Sequence, residues 1–74
     1  PLTLKIRSYD NLMISKFEKV LSKIDLIYEY SILKFDKDFI FYQIIFNGTH
    51  NSFLNSMKDN GFSFETQNKV WALK

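Results

Sequence analysis

The 74 residues predict a small α+β domain with elements in the order β-α-β-β-α-β. Three observations carry that expectation. Phe39-Ile40-Phe41-Tyr42-Gln43-Ile44-Ile45-Phe46 is apolar at seven of eight positions and closed by Asn47-Gly48, the pattern of a strand buried on at least one face and central in its sheet. From Leu12 to Ile24 the apolar residues recur with a helical period. From Leu2 to Ser8 they alternate strictly.

In chain order, Leu2, Leu4 and Ile6 lie on one face of the first strand, and Thr3, Lys5 and Arg7 on the other. Asp10-Asn11 supplies an N-cap pair. The helix that follows places Met13, Ile14, Phe17, Val20, Leu21 and Ile24 on one stripe. Leu26 to Phe35 reads as the second strand, with Tyr28, Tyr30 and Ile32 sharing a face. Its alternation breaks at Ile32-Leu33, the mark of a bulge or an apolar tip. Asp36-Lys37-Asp38 is a polar turn leading into the apolar strand. Thr49 caps a shorter helix that buries Phe53, Leu54 and Met57, and Asn60-Gly61 ends it. With Gly61 left-handed, Phe62 is placed for the apolar contact of a Schellman ending. The remainder, two apolar runs split by Thr66-Gln67-Asn68, predicts a terminal hairpin and hence a possible extra C-terminal strand.

This order is the split β-α-β, ferredoxin-like pattern. It predicts an antiparallel sheet in the order 4-1-3-2 with the two helices on one face. Within the apolar strand, Ile40, Tyr42, Ile44 and Phe46 are assigned to the helix-facing side, and Phe39, Phe41, Gln43 and Ile45 to the open side.

Composition bounds the rest. The length fits a single domain over residues 1–74, and a chain of this size buries only about 60–65% of the surface its unfolded form exposes. The absence of cysteine excludes disulfides and thiolate metal sites. Eight Phe, four Tyr and one Trp supply the core instead. The net charge of +2 is a weak pull on anionic partners. Abundant Lys, Asn and Ile beside a single Ala fits a codon bias, so the preference for Lys over Arg carries no functional weight. No apolar run approaches the roughly 20 residues of a membrane helix, and no membrane insertion is expected. The chain opens on Pro1, which is read as a piece excised from a longer protein, so localisation stays unknown.

No residue set specifies an enzyme or a cofactor, and none is expected. His50, the one histidine, is read as a solvated or capping residue. Asp36 and Asp38 have the spacing of paired metal ligands and also the composition of a turn, which is preferred. Asn47-Gly48-Thr49 matches a glycosylation sequon but already ends a strand and caps a helix. Lys16, Lys19 and Lys23 form the solvated face of the first helix.

The candidate interaction face is Lys5, Arg7, Phe39, Phe41, Gln43 and Ile45, all on the open side of the expected sheet. Lys37-Asp38-Phe39-Ile40-Phe41-Tyr42 resembles the RRM strand motif in its basic start and alternating aromatics. That resemblance implies bases of single-stranded RNA stacked on Phe39 and Phe41. Asp38 and Ile40 depart from the motif's small residues, and Lys5 stands where the first strand would carry an aromatic. ACT-type regulatory modules share the topology but place a glycine after the first strand, where this chain has Ser8-Tyr9-Asp10. A wider resemblance spans Leu2-Thr3-Leu4-Lys5-Ile6, the step at Asp10-Asn11, the hairpin, Asn47-Gly48 and Val70-Trp71-Ala72-Leu73. In this layout the chain resembles the C-terminal module of an uncharacterised family of bacterial exported proteins, which implies a bacterial envelope setting and no catalytic residues. The expected role is a protein–protein interaction or structural module. Its partner is another protein, the parent chain or a second copy; RNA is the weaker alternative.

Overall fold

Residues 2–74 are described by a computed structural model. The elements are β1 (Leu2–Arg7), α1 (Asn11–Lys23), β2 (Ile27–Phe35), β3 (Phe39–Phe46), α2 (His50–Asp59), β4 (Phe64–Glu65) and β5 (Trp71–Leu73). The β-α-β-β-α-β order is present, with the terminal hairpin supplying a fifth strand.

Local chemistry explains the element ends. Asp10 accepts a hydrogen bond from the Met13 N–H at 3.0 Å, and Thr49 accepts one from the Ser52 N–H at 3.0 Å. Each cap satisfies a donor that a helix start leaves orphaned. At the other end of α2, Gly61 takes φ +90°, a conformation costly for any residue with a Cβ. The Phe62 N–H then reaches the Met57 carbonyl at 2.9 Å and the Gly61 N–H the Lys58 carbonyl at 3.0 Å. These two bonds define the Schellman ending, and Phe62 turns inward to meet Phe17, ring centres 5.5 Å apart. In the β2–β3 turn, one Asp36 carboxylate oxygen accepts from the N–H groups of Asp38 and Phe39, each at 2.8 Å. The turn reading of this acidic pair is therefore the structural one.

The sheet order is β2-β3-β1-β5-β4. Strand β3 is antiparallel to both β2 and β1, and β4 to β5, whereas β5 runs parallel to β1. The sheet is therefore mixed, which corrects the antiparallel 4-1-3-2 expectation. The central β3–β1 pair is as expected. What differs is that the returning arm of the terminal hairpin slips between β1 and β4. That slot puts Trp71 level with Leu4, and the residue is buried there.

The core is built from Leu2, Leu4, Ile6, Phe17, Leu21, Tyr42, Ile44, Phe53, Met57, Phe64 and Trp71. Phe17 of α1 meets Tyr42 edge-on at 5.3 Å, and Phe53 of α2 lies 5.2 Å from Phe46. Tyr42 and Phe46 are four residues apart in a strand and so share a side. The Tyr42 hydroxyl donates to the Glu18 carboxylate at 2.6 Å. Burial, and then this bond, raise the phenol's pKa well above its ordinary value.

Strand β2 departs from simple alternation twice, with register shifts between Ile27 and Glu29 and between Ile32 and Lys34. The second is the bulge, one of the two readings of the break at Ile32-Leu33. The first corrects the placement of Tyr28. It is the extra residue of the shift and is 85% exposed, while Ile27 takes the inward position beside Phe46.

Candidate interaction face

The side of the sheet opposite Tyr42 and Ile44 is organised in rows by strand register. Arg7 stands opposite Phe39. The next row crosses four strands, from Ala72 through Lys5 and Phe41 to Lys34. Thr3, Gln43 and Ser31 make a polar row beyond it, and Ile45 stands opposite Glu29 at the far end. All six candidate residues therefore lie on one side, but they do not form one strip. The polar row through Gln43 separates Ile45, 38% exposed, from the two phenylalanines.

The phenylalanines form the centre of the remaining cluster. Their rings pack edge-on at 6.3 Å. Lys5 reaches from β1 to place its ammonium 4.5 Å from the centre of the Phe39 ring, and Lys34 reaches from β2 to within 4.7 Å of the Phe41 ring centre. Each cation is drawn to the negative face of its ring, an attraction worth about 0.5–1 kcal/mol at exposed sites. The methylene stems cover apolar surface while the charged ends stay in water. Both rings are half-buried. Arg7, which is exposed, adds a third positive charge at the same end.

Lys34 belongs to this cluster and was missed in the sequence. Counting by twos from Tyr30 and Ile32 sends Lys34 to the buried side; the extra residue at Leu33 returns it to the side of Phe41. The break at Ile32-Leu33 was the available signal.

The other candidates resolve by geometry. His50 opens α2, exposed, with its ring against Phe46 at 5.9 Å and Trp71 at 5.3 Å. Among the described residues, no three His, Asp, Glu or Cys side chains gather as metal ligands would, and no helix is long and apolar enough to cross a membrane. What the aromatic–cation cluster offers chemically is an apolar centre rimmed by positive charge. No protein-family model, curated protein or solved structure matches this chain.

Proposed function

We propose that this chain is a non-enzymatic module that works by protein–protein contact through the Phe39–Phe41 side of its sheet. The observation that carries the reading is the convergence of Lys5 and Lys34, from strands on either side, on two adjacent phenylalanine rings. A monomer gains little by keeping aromatic rings on a surface unless something covers them. The complementary partner is a protein segment that presents apolar side chains to the rings and carboxylates to Lys5, Arg7 and Lys34. The framework is read as a ferredoxin-like split β-α-β unit carrying one inserted strand, with both helices on the opposite side. The contacts of Phe17 with Tyr42 and of Phe53 with Phe46 support that arrangement. From the resemblance to the exported bacterial family we take an envelope setting as part of the same reading.

Single-stranded RNA is the second reading, favoured by three cations beside two rings that bases could stack on. Against it, each of these rings already has a lysine ammonium near its centre. Titrating the isotopically labelled protein with a short peptide of alternating Leu and Glu, and separately with oligouridine, distinguishes the two. Protein contact predicts resonance shifts at Phe39, Phe41, Lys5 and Lys34 with the peptide. Shifts only with oligouridine, weakening as salt rises, would replace it by RNA binding.

A further inference from the structure

The two edges of the sheet are unlike. The β4 edge is two residues long and runs into the polar Thr66-Gln67-Asn68. The β2 edge is nine residues long, and it exposes Ile32 at 50%, Leu33 at 52% and Phe35 at 76%. A long edge presents a row of main-chain donors and acceptors that can pair with another strand; proteins ordinarily blunt it with charge, proline, shortness or bulges, and of these β2 has two charges and two register shifts but neither proline nor shortness.

The chemistry along β2 identifies the strand it fits. Each residue's place in the ladder follows from its partner on β3. Taking Ser31, opposite Gln43, as the centre, the successive places toward one end hold Tyr30, Glu29 and Ile27. Toward the other end they hold Ile32, Lys34 and Phe35, with Tyr28 and Leu33 as the extra residues of the two shifts. The strand is therefore complementary to itself when reversed. Tyr30 falls opposite Ile32, Glu29 opposite Lys34, and Ile27 opposite Phe35, each pair on one side of the sheet. Aromatic–β-branched and opposite-charge pairs are the favourable cross-strand combinations. Parallel pairing would instead set Glu29 on Glu29 and Lys34 on Lys34.

We propose that β2 is the seam of a homodimer, in which two copies pair their β2 edges antiparallel about a twofold axis at Ser31. Two five-stranded sheets then become one continuous sheet. Each Glu29 meets the second copy's Lys34, beside the Phe41 ring that this lysine already covers. The seam shares Lys34 with the Phe39–Phe41 contact surface, but its pairing uses the strand edge rather than the sheet side.

Sedimentation equilibrium on wild type, Glu29→Lys, Lys34→Glu and the double swap tests it. Wild type should move from the mass of one copy to that of two as concentration rises. The twofold axis makes each single reversal turn two attractive contacts into two repulsive ones. Because exposed ion pairs are individually weak, each reversal should raise the dimer Kd about tenfold, and the double swap should bring it back close to wild type. Melts at monomeric dilution should match wild type for Glu29→Lys and fall by no more than about 8 °C where Lys34 is replaced and its contact with the Phe41 ring is lost, which separates loss of the seam from loss of the fold. A wild type that stays monomeric up to millimolar concentration would overturn the proposal. So would single reversals that leave association unchanged, or a double swap that associates no better than the singles.

Discussion

Phe41 and Tyr42 are consecutive aromatic residues in one strand, and they meet opposite environments. Tyr42 is fully buried, flanked by Phe17 and Tyr30, with its hydroxyl held by Glu18. Phe41 is half-buried, beside Phe39 and beneath the ammonium of Lys34. Strand geometry sends alternate residues to opposite sides, so the difference belongs to what each side meets. One side is filled by rings and aliphatic groups from the rest of the chain. On the other, Lys5 and Lys34 reach over the rings of Phe39 and Phe41. Apolar character alone does not mark a strand residue as core; what crosses it does.

The comparison can be broken first at its buried side. Phe17 touches the rings of Tyr42, Phe62 and Phe64 and has no exposed surface. Phe17→Ala should cost about 3–5 kcal/mol, the range for deleting a buried ring. At about 4–8 °C per kcal/mol for a domain of this size, thermal melting should fall by about 12 °C or more. A loss of only a few degrees would mean that the buried side is not the core.

A smaller effect tests the polar bond within that core. Tyr42→Phe removes the hydroxyl that donates to Glu18 and should cost about 1.5 kcal/mol, as for a hydrogen bond to a charged group. Its signature is in alkali. A phenol whose pKa is raised by folding stabilises fully below the ordinary tyrosine value of about 10, and that stability is lost as pH climbs toward the raised value. Wild type should therefore lose stability above about pH 10 more steeply than Tyr42→Phe. Parallel alkaline limbs would contradict the bond.

How far the sequence revealed this arrangement follows from the same residues. The stripe of α1, the caps at Asp10 and Thr49 and the turn at Gly61 were legible because each depends on neighbours within one helical turn. The two sides of β3 were legible because its alternation is unbroken, with Gln43 marking the wetter one. Tyr28 and Lys34 were not, because single extra residues in β2 reverse the count beyond them. The parallel placement of β5 was not legible either. It rests on pairing between the two ends of the chain, Leu4 with Trp71, which local pattern does not reveal. For the candidate face, the six residues were found together on one side, but its division by the Gln43 row and the part taken by Lys34 appear only once register is known.

The smallest stability effect lies at the turn that joins the two strands. The N–H groups of Phe39 and then Asp38 hold the Asp36 carboxyl below its ordinary value of 3.8. A carboxylate lowered by folding stabilises above its unfolded value, and that contribution is lost as pH falls through the folded one. Asp36→Ala should lower the neutral-pH melt by less than Tyr42→Phe does and flatten the acid decline below pH 3.8. An unaltered acid limb would show that the turn does not use the carboxylate.

Most direct is a paired measurement on the two neighbours, Phe41→Ala and Tyr42→Ala, each melted and each titrated with the Leu–Glu peptide. Phe41→Ala should cost only about 1 kcal/mol, since its ring is only partly withdrawn from water, and should abolish the peptide-induced shifts while the fold persists. Tyr42→Ala should cost about 3–5 kcal/mol, and at temperatures where it remains folded it should still respond to the peptide. Equal destabilisation by both substitutions, with peptide response retained in Phe41→Ala, would contradict the contact surface and leave the Phe39–Phe41 side a purely structural one.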